Sequence, residues 1–159
     1  MAMRYDFNAD DVFEMAEQLE RNGAKFYREA ADSIDEPDAR AMLLKFADME
    51  VEHEKTFSDM RKKLTADEKT PTVFDPDGEA VLYLRALADT RVFFQKTIDF
   101  STLESILKAA IEAEKDSIVF YLGMKEAVPD KKGKDRLDDI IKEEMTHIRL
   151  LSRELVAIK

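Results

Sequence analysis

The chain contains no cysteine, and only four glycines, four prolines and two histidines in 159 residues. Without cysteine there is no disulfide, no thiolate metal site and no cysteine nucleophile. So few glycines and prolines leave long periodic stretches unbroken, the profile of a mostly helical chain. No run of about 18 apolar residues occurs, so nothing reads as a membrane span. The opening MAMRYDFNADD has no apolar signal core, which points to a cytoplasmic protein. Positive charge is in deficit, 25 Lys and Arg against 35 Asp and Glu. The resulting net charge of −10 argues against nucleic acid or an anionic membrane as partner. By length the chain reads as one domain, 1–159, large enough to bury a core.

Four long helical patterns are present. The first runs from about Asn8 to Ser33, with Val12, Phe13, Ala16, Leu19, Gly23, Phe26, Tyr27 and Ala30 on one face, and Asn8 or Asp10 is its expected cap. The second begins at Pro37, a residue suited to a first helical turn, and continues to about Leu64. The third opens at STLE, where Ser101 and Glu104 read as a capping box, and reaches about Ala127. The fourth covers roughly Lys134 to Ile158. Short connections make each flanking pair an antiparallel hairpin. The segment between them, 66–101, holds Pro71, Pro76 and Gly78 and then a shorter helical pattern from Glu79 to Thr90. It is long enough to cross the length of a bundle. The predicted fold is therefore all-α: an antiparallel four-helix bundle of two hairpins, 8–65 and 102–159, joined by a long crossover containing a short helix.

The second pattern carries an anomaly. Leu43, Phe46 and Ala47 lead into Phe57, Met60 and Leu64 at helical spacing, yet the stripe between them holds Glu50 and His53. A shift of 94 residues places Glu20 on Glu114, Phe26-Tyr27 on Phe120-Tyr121, Glu50 on Glu144 and His53 on His147, without a gap. Shared apolar periodicity would align leucines. It does not account for the two histidines of the chain each following a glutamate by three residues at the same offset.

These residues also converge in height. Glu20 and Glu50 each lie 15 positions from Asp35 in the first turn, and Glu114 and Glu144 each lie 15 from Pro129 in the last. At about 1.5 Å of rise per residue both members of a pair sit halfway along their hairpin. A spacing of three puts each Glu and its His on one helix face. Packed face to face, the hairpins gather four carboxylates and two imidazoles into one layer. Each buried, ionised carboxylate would cost several kcal/mol, and no Lys or Arg on these stripes is placed to offset it. Two divalent cations supply +4 against −4. One Glu from each of two helices with Glu-x-x-His from each of the other two is the ligand pattern of ferritin-like dimetal bundles.

In LERNGAKFY, ADMEVEHEKTF, IEAEKDSIVFY and IKEEMTHIRLL the sequence resembles the rubrerythrins and their ferritin-like relatives over the whole chain. The resemblance implies Glu20, Glu50, His53, Glu114, Glu144 and His147 as metal ligands, with Glu50 and Glu114 or their counterparts bridging. It implies that Tyr27 and Tyr121 hydrogen-bond to ligand carboxylates across the bundle. Two departures stand out. Where rubrerythrins carry an extra glutamate one turn after the third-helix ligand, this chain has Ser117, and it lacks the cysteine-ligated rubredoxin domain. Any electron donor is then a separate protein, and full rubrerythrin-type peroxidase activity is in question.

Hard oxygen donors with two imidazoles suit iron first and manganese next, with zinc less favoured. The expected activity is redox, a di-iron centre reducing hydrogen peroxide or oxygen in an oxidative-stress role, with a homodimer as the expected assembly. Two alternatives stand beside it: ferroxidase-type iron handling, and a helical scaffold that metal merely stabilises. Glu17 and Glu54, which fall on Ile111 and Ile148 under the same shift, read as a solvated or Arg21-paired patch rather than an ion path. Met15, Met42, Met49, Met60, Met124 and Met145 read as packing residues.

Overall fold

The computed structural model describes residues 9–63, 82–84, 86, 98–127 and 131–158. Four long helices carry the architecture: α1 (Ala9–Asp32), α2 (Pro37–Lys62), α3 (Leu103–Ala127) and α4 (Lys131–Ala157). Among the described residues the structure is all-α, a bundle of four long helices as the sequence pattern predicts. Among the described residues no helix is long and apolar enough to cross a membrane.

Local chemistry sets the helix ends. Glu36 is extended at the N-cap of α2, and its carboxylate accepts from the backbone N–H of Asp38 at 3.1 Å and Ala39 at 2.6 Å. Pro37 follows where its missing N–H costs nothing. At α3 the cap is Thr102, one residue beyond the expected Ser101. Its hydroxyl accepts from Ser105 N–H and donates to Ser105 Oγ. Asp99 accepts from Ser101 N–H at 2.9 Å and so turns Ser101 away from the cap position. Asp10 lies inside α1 rather than capping it. Asn8, Leu64, Pro71, Pro76, Gly78 and Pro129 lie outside the described residues. Of the crossover helix expected over Glu79 to Thr90, Leu82, Tyr83, Leu84 and Ala86 are described, and all four are helical.

α1 packs chiefly on α2 and α3 on α4, while α1 also meets α3 and α2 meets α4. Tyr27 bonds to Glu114 and Tyr121 to Glu20, so α1 and α3 run antiparallel. The end of α2 and the start of α3 therefore lie at opposite ends of the bundle.

The core is in two parts. One cluster joins Val12, Phe13, Leu19, Phe57, Met60, Phe120, Met124, Leu137 and Leu84. The other joins Phe26, Ile34, Leu43, Phe46, Ile106, Leu107 and Leu151. Between them, at mid-height, sits the polar layer of Glu20, Glu50, His53, Glu114, Glu144 and His147, all buried. Met60 and Met124 are buried in the core, and Met15, Met42 and Met49 pack against it. Met145 departs from the expected packing role and is 57% exposed. It follows Glu144 directly, and a residue beside an inward-facing position on a helix is turned about 100° toward the outside.

Gly123 allows a close approach. A Cβ there would lie 2.5 Å from Tyr83 Cε1 and 3.1 Å from Leu84 Cδ2, so Tyr83 and Leu84 rest on bare backbone of α3.

Candidate metal centre

Each helix contributes to the buried layer from its middle: Glu20 from α1, Glu50 and His53 from α2, Glu114 from α3, Glu144 and His147 from α4. The two Glu-x-x-His pairs share a face because three residues nearly complete a turn. Both histidines aim Nδ1 inward. His53 Nδ1 lies 2.8 Å from Glu144, 3.5 Å from Glu20 and 3.9 Å from Glu50. His147 Nδ1 lies 3.3 Å from Glu114, 3.5 Å from Glu50 and 3.6 Å from Glu144.

These atoms fall into two overlapping groups whose donor atoms all lie within 4.8 Å of one another. Glu20, Glu50, His53 and Glu144 form the first; Glu50, Glu114, Glu144 and His147 form the second. The carboxylates common to both are Glu50 and Glu144, one from each Glu-x-x-His helix. Of the residues expected as bridges, Glu50 and its counterpart Glu144 are shared, whereas Glu114 belongs to the His147 group alone and its counterpart Glu20 to the His53 group alone. The reason is positional: Glu50 and Glu144 face each other across the antiparallel α2–α4 pair, whereas Glu20 and Glu114 approach from the flanking helices.

The tyrosines hold the flanking carboxylates. Tyr27 on α1 donates to Glu114 on α3 at 2.5 Å, and Tyr121 on α3 donates to Glu20 on α1. Burial, then the neighbouring carboxylate charges, pushes both phenols well above their ordinary range, so they stay neutral donors. Burial likewise raises Glu50, reinforced by Glu20, Glu144 and Glu114, and raises Glu114 to about 8, with Glu144 adding to the effect. Burial opposes a charged His53, but the contacts with Glu144 and Glu20 outweigh it and bring the imidazole to about 12. By the same balance with Glu114 and Glu144, His147 rises to about 9. Burial opposes a charged Glu144, yet the close approach of Glu114 and of both histidines holds it below the ordinary carboxylate value.

Protein groups do not complete this layer. Among the described residues, Glu20 Oε2, Glu50 Oε1, His53 Nδ1, Glu114 Oε2 and both oxygens of Glu144 are buried without a hydrogen-bond partner. The 2.8 Å approach of His53 Nδ1 to Glu144 is a close charge contact without hydrogen-bond alignment. Orphaned buried polar atoms are rare and costly, and here all six point into one place. Carboxylate oxygens and imidazole nitrogens are the donors that a pair of hard or borderline divalent cations takes.

The chain matches the rubrerythrin family over residues 11–155. It belongs to the rubrerythrin family. Among solved structures it is similar to a protein of Thermotoga maritima described as a putative ferritin-like diiron-carboxylate protein. The two are 26% identical, with a TM-score of 0.72, over 96% of this chain and 97% of the other. None of the curated proteins matches the chain.

Within this rubrerythrin-family bundle the small residue at the departure point is buried. Ser117 donates its hydroxyl to Ala113 O at 3.1 Å, which occupies it within its own helix. Its counterpart 94 residues earlier is Gly23, whose position faces Glu50: a Cβ there would lie 3.4 Å from that carboxyl. Glu54 pairs with Arg21 at 3.1 Å, as the sequence suggested, whereas Glu17 pairs with Arg61 at 3.1 Å. Arg61 also reaches Asp10 at 2.8 Å, an ion-pair network invisible to helical spacing because it joins the two ends of a hairpin.

Sequence reasoning missed two neighbours of the histidines. Glu143 contacts His53 Nε2, and Met49 Sδ lies 3.4 Å from His147 Nε2. Each directly precedes the Glu of a Glu-x-x-His pair, and the 94-residue shift superposes one on the other. That shift was the available signal. It went unread because the two residue types differ.

Proposed function

We propose that this protein is a dimetal carboxylate redox protein, with two iron ions held by Glu20, Glu50, His53, Glu114, Glu144 and His147, reducing hydrogen peroxide or oxygen with electrons from a separate donor protein. The observation that carries this reading is the pair of four-residue groups sharing Glu50 and Glu144. A single-ion site would need one such group, and a structural polar layer would satisfy its own hydrogen bonds. Here one group is built twice, and six of its buried polar atoms lack hydrogen-bond partners.

When bound, the metal pair supplies the electrons for two-electron reduction of the substrate. The remaining work falls to the chain. Glu50 and Glu144 hold the two positions at one spacing because each reaches both groups. Tyr27 and Tyr121 keep Glu114 and Glu20 in orientation while remaining neutral themselves. The apolar clusters above and below exclude water from the layer and fix its height.

Anaerobic loading with Fe(II), followed by stopped-flow mixing with hydrogen peroxide, tests this function. The expected result is two ions per chain and oxidation faster with peroxide than the uncatalysed reaction of Fe(II) in buffer. With Ser117 in place of a further carboxyl ligand, oxidation should be slower than in Ser117→Glu. Rapid oxidation by oxygen with progressive iron uptake beyond two ions would favour iron handling instead. Binding of two ions with no redox turnover would reduce their role to stability.

A further inference from the structure

The two halves of the centre are related by the 94-residue shift, yet their outer contacts differ. The Nε2 atom of His53 faces away from the carboxylates and meets Glu143 of α4. The Nε2 atom of His147 faces away on the opposite side and meets Met49 Sδ of α2 at 3.4 Å. Glu143 and Met49 occupy corresponding positions, each one residue before the shared glutamate of its helix. A carboxylate is a strong acceptor and a thioether a weak one. The surroundings sharpen the contrast. Glu143 is half exposed. Phe46 stacks on His147 with ring centroids 4.5 Å apart, and His147 and Met49 line a surface cavity of about 530 Å³ with Met42 and Leu150.

Resting on the dimetal reading above, we propose that Glu143 and Met49 make the two metal positions unequal. Glu143 is a positioning residue that holds His53 as the Nε2–H tautomer, presents Nδ1 to the first group and increases its electron donation. Met49 gives His147 no comparable acceptor. The position formed by Glu20, Glu50, His53 and Glu144 therefore binds a divalent ion more tightly and fills first. Carboxylate partners of metal-binding histidines act in this way, and their loss typically weakens metal affinity about 10- to 100-fold.

Titration of the metal-free chain with Co(II) alone, under anaerobic conditions, tests the inequality. Wild type should take up two ions in two resolved steps. Glu143→Met should weaken the tighter step by about 10- to 100-fold while leaving two ions bound, and Met49→Glu should tighten the weaker one. Because Glu143 is at the surface, its replacement should leave the helical circular dichroism spectrum unchanged. Proton NMR at one equivalent of Co(II) reports which histidine is occupied. A single shifted, slowly exchanging imidazole N–H signal is expected in wild type and should be lost in Glu143→Met. Equal affinities within about twofold for wild type and Glu143→Met, with two ions still bound to each, would overturn the proposal and leave the dimetal reading intact. Failure of wild type to bind any Co(II) would overturn both.

Discussion

Tyr27 and Glu114 sit on different hairpins, 87 residues apart in sequence, and are joined by a buried 2.5 Å hydrogen bond. Tyr121 and Glu20 make the reciprocal bond. The hairpins are thus tied twice across the α1–α3 contact, and each tie ends on a carboxylate of the candidate metal centre. Tyr27→Phe or Tyr121→Phe leaves a buried carboxyl oxygen without its donor. Each is predicted to lower the stability of the metal-free chain by about 1–3 kcal/mol in urea titration. An unchanged midpoint in both would show that the phenols pack without supporting the carboxylates.

Sharing of Glu50 and Glu144 between the groups predicts a difference in stoichiometry. Glu50→Ala or Glu144→Ala removes a donor from both groups at once, so neither ion should be retained through gel filtration. Glu20→Ala or Glu114→Ala removes a donor from one group, and one ion per chain should survive. Elemental analysis distinguishes the two patterns. Equal loss in all four variants would contradict the division into two shared groups.

The protonation of the metal-free layer sets pH dependences of opposite sign for the stability of the metal-free chain and for its increment on metal loading. His53 and His147, at about 12 and about 9, bind protons more tightly in the folded chain than in the unfolded one. Their contribution to metal-free stability is complete below the unfolded value near 6.5 and declines as pH rises through about 9 and beyond. Glu114, at about 8 against an unfolded value near 4.3, adds a decline that begins lower, between about pH 4.3 and 8. Metal must displace these protons, so loading at pH 7 should release protons into a weakly buffered solution, and affinity should rise with pH. The melting temperature of metal-free protein is expected to fall between pH 5 and pH 9 while its increment on metal loading grows. A metal increment that shrinks over that range would contradict the assignment of these groups as ligands.

Two glycines in the bundle should respond in opposite directions to alanine. At Gly23 the new methyl meets the Glu50 carboxyl at 3.4 Å, an ordinary contact, so helix propensity should raise stability by up to about 1 kcal/mol. At Gly123 it would lie 2.5 Å from Tyr83 and force that side chain outward, for a net loss of about 1–2 kcal/mol. Thermal melts of the two variants decide this, and stabilisation at Gly123 would show that Tyr83 and Leu84 are not seated on α3.

The helices and the residues of the buried layer were legible in the sequence because both obey local rules. Apolar spacing, Pro37 at a first turn and equal counts from each turn to its glutamates depend only on helical rise and rotation. The interruption of an apolar stripe by Glu50 and His53 was informative because a buried charge needs a compensating partner. Tertiary structure decided the rest. Which carboxylates are shared depends on how α2 faces α4, and no count along one helix contains that orientation. The cap at Thr102 depends on the turn made by Asp99. The pairing of Arg61 with Asp10 and Glu17 depends on hairpin ends meeting in space. The contrast between Glu143 and Met49 was written in the sequence but acquired meaning only when the antiparallel packing of α2 and α4 set each against the other hairpin's histidine. Periodicity determines which face of a helix is buried, and the packing of helices against one another determines which atoms on those faces meet.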